Sequence, residues 1–418
     1  MAHDYNTGPT GHSAAAPHTS LKARAAVIAT ADGKLAVDLL AAELADPAGN
    51  EPPPDLLVVF INDSWQAHNG AILAELRQHI GAATVIGASA SGVLANGREY
   101  EDVPGLSALA LWLPGVTATP IRLHQESVPL LEDPETWHDT TGVDPAGVKG
   151  VILLADPYRM DSNALISGLG GCYPATPILG GMASASEHRR RTWVFIDGQV
   201  YDEGGVALLL EGPVRLVPVI AGGAEPVGAT WTITKIDRNT ILEIGHRPAL
   251  DVLLDTACPN ENDATADLPL GEWLIGFPLD EYRDEFARGD FIVRGILGSD
   301  PETRSIIVGG KPRLGQTVQF QRRDPALASK ELRRRLAELR GLLPDAPPAA
   351  LLFTCNGRGQ AMFRTPHHDS CVVDELLADV PVAGMFCNGE IGPAGPTGDP
   401  VLHGFTATLA LLVPDGEP

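Results

Sequence analysis

Continuous apolar runs recur three times along the chain, and each has the length and composition of a strand buried on both faces. These runs occupy residues 55–61, 151–155 and 350–354. Polar residues follow each run, and a helical pattern comes next. The helices predicted in this way cover residues 65–80, 162–169 and 369–378. A second short apolar run then leads into glycine and small polar residues, which we interpret as a turn in each copy.

Further strand patterns follow each copy and define the fold class. They cover residues 107–113, 206–210 and 405–413. A helical crossover between two strands suits a parallel pair with a helix on one face. We therefore predict an α/β to α+β fold with mixed sheets, built from repeated strand–helix–strand units followed by antiparallel strands. Between the second and third copies, the pattern predicts hairpin strands at 230–244 and a long helix at 326–343.

The charge balance argues against two classes of partner. Of 418 residues, 30 are Lys or Arg and 53 are Asp or Glu, which gives a net charge of −23. Such a body repels phosphate backbones and anionic lipid surfaces, so we expect neither a nucleic-acid partner nor a membrane partner. A large part of this excess of acidic over basic residues lies in residues 251–290, which we interpret as a solvated insert. The apolar runs are strand-sized, far from the ~18 residues of a membrane span.

The cysteines and the N-terminus indicate the compartment. Five cysteines, an odd number without a C-x-x-C pair, favour free thiols in a reducing compartment, so we expect a cytoplasmic protein. Residues 1–20 lack a signal-peptide core and are typical of a disordered tail. The spacing of Cys and His fits no zinc site, and the glycine motifs for phosphates or dinucleotides are missing. We therefore predict no metal and no cofactor.

The candidate ligand chemistry lies at the strand ends. In open α/β sheets, ligands bind beyond the carboxyl ends of parallel strands, so the three copies would present their polar residues at one edge. The candidate ligand-binding residues are Asn62, Asp63, Ser89, Ser91, Gly92, Ser184, Asn356, Gly357, Arg358, Asn388, Gly389 and Glu390. Arg358 suits a carboxylate and Glu390 suits an ammonium group, as a small zwitterion such as an amino acid requires. In the alternative interpretation, Arg358 and Glu390 pair with each other.

Catalytic signatures at this edge are incomplete. Residues 87–91 are close to the G-x-S-x-G nucleophile elbow, with serine in place of its second glycine, so Ser89 would be the nucleophile. The sequence assigns no His or Asp as its partner. Cys355 and Cys387 lie beside the edge, and a pair of histidines is near in sequence. A buried structural cysteine is nevertheless commoner than a reactive one.

Several of these motifs, taken in order, resemble the FIST family, the F-box and intracellular signal transduction proteins. The segments at residues 356–359 and 384–393 look like the family's C-terminal part, and those at 87–92, 180–183 and 230–244 look like its N-terminal part. The resemblance covers about residues 21–413 and implies two FIST-like halves, which we place at 21–222 and 223–418. One departure is Val93, where the family often has Glu.

The resemblance implies a sensory protein that binds a small molecule, an amino acid among the candidates. Relatives join such domains to signalling modules, and we recognise no such module here, so we expect a stand-alone protein that feeds a signalling pathway through a protein partner. Two alternatives stay open. One is an uncharacterised enzyme that uses Glu390, Cys387 or Cys355 at the same edge, and the other is a partner-binding scaffold.

Overall fold

Three six-stranded mixed sheets of equivalent topology form the body of the molecule, and a seven-stranded sheet is inserted in the last of the three units. The computed structural model describes residues 20–186, 189–258, 268–283, 285–342, 349–395 and 398–415. Residues 1–19 of the predicted tail and 259–267 of the predicted solvated insert lie outside this part of the chain.

The first unit carries one helix before its second strand and one after it. Its elements are β1 (Lys22–Ala29), α1 (Gly33–Leu44), β2 (Leu56–Asn62), α2 (Asn69–Ile80), β3 (Thr84–Ala90), β4 (Gly92–Ala95), β5 (Arg98–Glu101) and β6 (Gly105–Trp112). The Asn62 side chain accepts the N–H of Ser64 (3.0 Å) and starts a 3₁₀ helix, Asp63–His68. The α-helix within the predicted segment 65–80 therefore begins only at Asn69.

The second unit repeats this order. Its elements are β7 (Thr117–Leu123), α3 (Pro134–Thr141), β8 (Val148–Ala155), α4 (Ser162–Cys172), β9 (Ile178–Met182), β10 (Val194–Ile196), β11 (Gln199–Tyr201) and β12 (Gly205–Glu211). Two 3₁₀ helices, Gln125–Glu132 and Pro145–Gly147, flank α3. Asp161 caps α4 by accepting the N–H of Ala164, at the start of the helix predicted from residue 162.

The third unit is interrupted by the insert after its first strand, β13 (Val214–Gly222). The insert contains β14 (Ala224–Asp237), β15 (Thr240–Ile244), β16 (Arg247–Pro248), α5 (Ala249–Ala257), a 3₁₀ helix (Leu270–Glu272), β17 (Trp273–Pro278), β18 (Phe291–Asp300), β19 (Ser305–Val308) and β20 (Thr317–Arg323). The unit continues with α6 (Pro325–Leu342), β21 (Ala349–Cys355), α7 (Gly359–Phe363), α8 (His368–Leu376), β22 (Val382–Cys387), β23 (Glu390–Ala394), β24 (Asp399–His403) and β25 (Thr406–Pro414).

Each unit contributes one parallel strand pair, as the sequence predicts: β2–β3, β8–β9 and β21–β22. The last strand of each unit lies antiparallel between this pair and the opening strand. The strand orders are β1-β6-β2-β3, β7-β12-β8-β9 and β13-β25-β21-β22. The predicted mixed architecture of strand–helix–strand units and antiparallel strands is therefore confirmed.

A hairpin from a neighbouring unit completes each sheet. The β4–β5 hairpin of the first unit extends β22 of the third, and the β10–β11 hairpin of the second extends β3 of the first. The β23–β24 hairpin of the third unit extends β9 of the second. Because the exchange is cyclic, each unit gives one hairpin and receives one. The chain leaves β3, β9 and β22 toward these hairpins, which draws the three strand ends together.

Burial on both faces explains why the strands of the parallel pairs are continuously apolar. In β2, Val58 and Phe60 face a central core that all three sheets share, whereas Leu57 and Ile61 pack against α1 and α2. The ring of Phe60 meets the ring of Phe353 from β21 edge-on, with centroids 6.1 Å apart. Helices α3 and α4 cover the second sheet, and α6 and α8 cover the third, in the same way.

The glycines that align the three copies lie inside β3, β9 and β22. A Cβ added to Gly87, Gly180 or Gly384 would lie 1.9 Å from a carbonyl oxygen of the neighbouring parallel strand. Glycine alone permits this approach of two backbones. The prediction of a turn at these glycines is therefore wrong, because all three lie within strands and serve contact between them. In the first unit, for example, the first bend comes only at Ser91.

The insert closes on itself, because β14 pairs with both β20 and β15 in a sheet of order β14-β20-β17-β18-β19-β15-β16. It has its own apolar core, in which Ile275 and Phe320 of the sheet belong to one cluster with Leu253 of α5. The hairpin predicted at 230–244 is formed by β14 and β15. The insert thus stands beside the third unit as a barrel-like body.

Candidate ligand site at the strand ends

Hydrogen bonds join the strand ends of all three units. The backbone N–H of Ser91 donates to Ser184 Oγ (2.8 Å), and the Ser91 hydroxyl donates to Asn356 Oδ1 (2.8 Å). Asn62 Nδ2 donates to the Ser91 carbonyl (2.7 Å), and Ser89 Oγ donates to the Ser184 carbonyl (3.2 Å). The structure thus brings these five predicted residues to one edge.

Asp63 extends the same network. Its carboxylate accepts the N–H (3.1 Å) and the hydroxyl (2.9 Å) of Ser186, and Arg189 donates to its carbonyl oxygen (2.8 Å). Because the buried side chains of this edge are hydrogen-bonded to protein, they hold the three units together. Asn356 and Asn388 are exposed, so these two predicted residues present polar groups to solvent.

The three predicted glycines are explained by packing or by backbone conformation. A Cβ on Gly92 would lie 2.7 Å from the ring of Phe386, and a Cβ on Gly357 would lie 2.7 Å from Arg323 Nη2. Gly389 has a φ of +127°, which residues with a side chain rarely adopt. Glycine at these three positions is therefore explained without a bound ligand.

Arg358 pairs with Asp369. Its Nε donates to Asp369 Oδ2 (2.6 Å) and its Nη2 donates to Asp369 Oδ1 (2.8 Å), and both side chains are buried. Burial by itself would raise the pKa of the Asp369 carboxyl, but Arg358 and the other donors hold that pKa well below its ordinary value. The alternative in which Arg358 pairs with Glu390 is therefore wrong, because Asp369 occupies two of its donors in a fork geometry.

Glu390 is fully buried and is held by Thr406. Glu390 Oε2 accepts the N–H (3.1 Å) and the hydroxyl (2.8 Å) of Thr406, and Cys387 Sγ donates to Oε1 (3.3 Å). Burial raises the pKa of Glu390 to about 7, and the hydrogen bonds from Thr406 limit the rise. A carboxyl that exchanges its proton near neutral pH is typical of functional sites, although buried structural networks also produce it.

The nucleophiles considered from the sequence are not activated. Burial raises the pKa of the Cys355 thiol to about 12 and raises that of Cys387 well above its ordinary value, so both thiols keep their protons. Ser89 Oγ donates to a backbone carbonyl and accepts the N–H of Trp193 (3.0 Å), so its hydroxyl is committed to the backbone. These contacts count against covalent catalysis by these three residues.

A cleft of about 670 Å³ opens between the third unit and the insert. Its walls come from β13, the insert, one face of α6 and the β23–β24 hairpin. Thr406 lines the cleft, and so does Gly223, whose added Cβ would lie 3.5 Å from Arg358 Nη1. Arg358 and Glu390, which the sequence singles out for a zwitterion, therefore do not line the cleft themselves. Gly223 lies between Arg358 and the cleft, and Thr406 lies between Glu390 and the cleft.

The cleft wall carries polar groups suited to a ligand. Gln321 of β20 is buried, and its Nε2 has no hydrogen-bond partner among the described residues. His403 Nε2 faces two carbonyl oxygens of β23 (3.2 Å each), so it carries the proton and Nδ1 is an acceptor. Desolvation lowers the pKa of His403 to about 4, which keeps the ring neutral. Arg288, Arg334 and Arg335 also line the cleft.

Sequence reasoning missed Asp369, Thr406, Gln321 and His403. Asp369 is the acidic residue of the first turn of α8, and an acidic residue near Arg358 in a predicted helix is a usable signal. Thr406 opens the last strand and Gln321 lies in the insert, far along the chain from the repeat motifs. Their proximity to the edge depends on tertiary structure, which local patterns do not specify.

Three further findings concern the described part of the chain. No group of three or more His, Cys, Asp or Glu side chains there is arranged to hold a metal ion. No helix in the same residues has both the length and the apolar character needed to cross a membrane. All five cysteines are free thiols.

Family comparison identifies the domains. The FIST N domain matches residues 55–247, and the FIST C domain matches residues 249–393. The chain belongs to the FIST family. The resemblance carried by the glycine and strand-end motifs is thus confirmed. FIST domains are signalling-related sensory domains, and this FIST protein has that domain content over nearly its whole length.

Curated relatives share this length. Uncharacterized proteins of Mycobacterium bovis and Mycobacterium tuberculosis (strain CDC 1551) are each 36% identical to this FIST protein over 396 residues, covering 94% of this chain and 98% of theirs. Among solved structures, a cyanuric acid hydrolase from A. caulinodans aligns with 95% of this chain and 100% of its own, at 11% identity and a TM-score of 0.35. A likeness at that level carries no functional argument.

Proposed function

We propose that this FIST protein is a cytosolic sensory protein that binds a small ligand in the cleft, beyond the carboxyl ends of β21 and β22. Gln321 is the observation that carries this proposal, because its amide is buried in the cleft wall and its Nε2 has no partner among the described residues. An unpaired buried donor costs about 1–3 kcal/mol. A ligand with an acceptor atom at this position removes that cost.

A small carboxylate suits the cleft, and an amino acid suits it best. Arg288, Arg334 and Arg335 line the cleft together with Glu331 and Glu338. Arg334 and Arg335 form ion pairs with these two carboxylates, whereas Arg288 has only a long contact with Glu225 (3.8 Å). Arg288, the Nη atoms of Arg335 and Gln321 Nε2 would donate to a carboxylate, whereas the nitrogens of Arg334 already donate to Glu331 and Glu338. The Nδ1 lone pair of His403 would accept from an ammonium group. A volume of about 670 Å³ lies in the range of small-molecule sites.

Thr406 offers a route from the ligand to the rest of the molecule. It lines the cleft and also donates two hydrogen bonds to Glu390, the first residue of β23. A ligand that shifts Thr406 changes the surroundings of a carboxyl whose pKa is about 7. The change reaches the exchanged β23–β24 hairpin, whose outer strand β24 ends a sheet. This edge is where we would expect a signalling protein to bind.

Thermal unfolding of the full chain with amino acids and small carboxylates at millimolar concentrations tests the proposal. At least one compound should raise Tm by mass action. Gln321→Leu keeps the size of the side chain but removes the donor, so it should abolish the rise without lowering the basal Tm. Gln319→Leu is the matched control on the same strand, and it should keep the full rise.

Two results would contradict the proposal. One is an unchanged Tm with every compound tested. The other is an equal rise in the wild type and in both variants, which would place any binding site away from Gln321. Isothermal titration of the best compound against the wild type and Gln321→Leu then separates weak binding from no binding.

A further inference from the structure

Ser329, His368 and Asp369 form a continuous chain of hydrogen bonds where α6 meets α8. Ser329 Oγ lies 3.0 Å from His368 Nε2, and His368 Nδ1 lies 2.9 Å from Asp369 Oδ1. These distances match those between a nucleophile, its base and the acid that orients the base. Ser329 does not line the cleft, so the hydroxyl of this cluster lies outside the ligand site proposed above, although Arg358 connects Asp369 to the cleft wall.

The surroundings of Asp369 determine where the protons lie. Arg358 donates two hydrogen bonds to the Asp369 carboxylate, and Thr354 Oγ1 donates a third (2.7 Å). The carboxylate therefore stays ionised, and His368 Nδ1 must donate to it. In the neutral imidazole, this leaves the lone pair of His368 Nε2 to accept the hydroxyl proton of Ser329, which is the tautomer that a general base requires.

The imidazole of His368 is fixed in orientation but accessible. The ring of Phe363 stacks on it, with centroids 3.5 Å apart and planes 10° apart. The His368 side chain is 16% exposed, the Asp369 side chain is 2% exposed and Ser329 is half-buried. The hydroxyl and the imidazole are therefore partly exposed, while the acid is shielded from water.

Other contacts also join the two helices. Arg333 of α6 pairs with Glu375 of α8 (2.8 Å), and Arg340 of α6 donates to a carbonyl oxygen of α8. Apolar side chains of both helices also pack in one core. The hydroxyl, imidazole and carboxylate of the cluster are therefore not the sole link between α6 and α8 in the described residues.

We propose that Ser329 is a nucleophile, with His368 as its general base and Asp369 as a positioning residue, and that the site hydrolyses esters of small acyl groups. Ser329 Oγ bonds to the carbonyl carbon, and its proton passes to His368 Nε2. The bond to the alcohol oxygen breaks, and the departing alcohol takes that proton. Water then attacks the acyl carbon and gives a proton to His368. The acyl–oxygen bond breaks, and the Ser329 hydroxyl regains the proton.

Labelling of the full chain with a fluorophosphonate, followed by peptide mapping, tests the nucleophile. The reaction forms an Oγ–P bond, expels fluoride and passes the hydroxyl proton to His368. We expect one dominant adduct, on Ser329, which Ser329→Ala abolishes. His368→Gln should slow the labelling about 100-fold or more, since a general base contributes that much. Ser370→Ala is the matched control and should label at the wild-type rate, because the Ser370 hydroxyl faces the Arg98 carbonyl (3.5 Å).

Hydrolysis of 4-nitrophenyl acetate by the same proteins tests turnover. Activity that is lost in Ser329→Ala and in His368→Gln but kept in Ser370→Ala supports the proposal. Adducts spread over many serines, no adduct on Ser329, or a His368→Gln rate equal to that of the wild type would overturn it. If a variant unfolds, the distribution of adducts among the serines of the wild-type chain still decides the question.

Discussion

The carboxyl group of Glu390 accepts both the backbone N–H and the hydroxyl of Thr406, in a position closed to solvent. The contact joins the first residue of β23, in an exchanged hairpin, to the first residue of β25, in the sheet of its own unit. Because burial raises the pKa of Glu390 to about 7, the charge at this junction changes near neutral pH. The junction between two sheets is thus sensitive to pH.

Glu390→Gln should alter how stability depends on pH. Between the ordinary pKa of 4.5 and the folded pKa of about 7, the folded chain binds a proton at this site that the unfolded chain has released. The free energy of unfolding of the wild type therefore falls as pH rises through this window, by about 2–3 kcal/mol. Gln keeps an acceptor for Thr406 and does not titrate, so urea unfolding at pH 5 and pH 8 should show a smaller fall. An unchanged fall would contradict this.

Asp369→Asn should be strongly destabilising, because it leaves the buried charge of Arg358 without its counter-ion. Breaking a buried pair in this way typically costs about 3–5 kcal/mol. Glu375→Gln is the control, since it breaks the exposed ion pair with Arg333 and should cost less than about 1 kcal/mol. Urea unfolding of both variants measures the difference, and equal losses would show that the buried pair adds little.

Alanine at Gly87, Gly180 or Gly384 should prevent or severely weaken folding. The added methyl would lie 1.9 Å from a backbone carbonyl oxygen in each case, so two parallel strands would have to separate. Gly70→Ala, within α2 and with nothing within 4 Å of the added methyl, should gain up to about 1 kcal/mol. Thermal melts monitored by circular dichroism compare the four variants. A small effect at any of the three strand positions would disprove the close approach there.

Ser184→Ala tests whether the strand-end network stabilises the assembly of the three units. The variant removes the acceptor for the Ser91 N–H, which is partly buried, and the donor to the Phe386 carbonyl, which is buried. We expect a loss of about 1–3 kcal/mol in the free energy of unfolding. Ser167→Ala, on an exposed position of α4, should change it by less than about 0.5 kcal/mol. Similar values for the two variants would mean that water replaces the Ser184 hydroxyl.

The sequence predicted those features of the fold that depend on consecutive residues of one segment. Strands covered on both faces need apolar residues at every position, so the runs at 55–61, 151–155 and 350–354 were visible without the structure. The shared glycine after each helix marked the same site in all three units. Its role was misread because a glycine in a turn and a glycine between crowded strands look alike in a sequence.

The sequence did not predict which side chains, and which strands, would pair in the folded structure. Whether Arg358 forms its fork with Asp369 or with Glu390 depends on where α8 packs, and that position is set by the core under the third sheet. The exchange of hairpins was unpredictable for a similar reason. The alternation of apolar and polar residues in a short strand does not indicate which sheet the strand joins. Ser329 was missed because its partners lie on another helix.

The cyclic exchange of hairpins has a consequence for the order in which the molecule can be completed during synthesis. The β4–β5 hairpin leaves the ribosome early, but its partner strand, β22, is made near the end of the chain. Until then β4 has an unpaired edge, a place where another copy of the nascent chain can bind. The first unit is therefore synthesised long before its β4–β5 hairpin can pair with β22. The three native sheets are consequently all complete only after β22 has been synthesised.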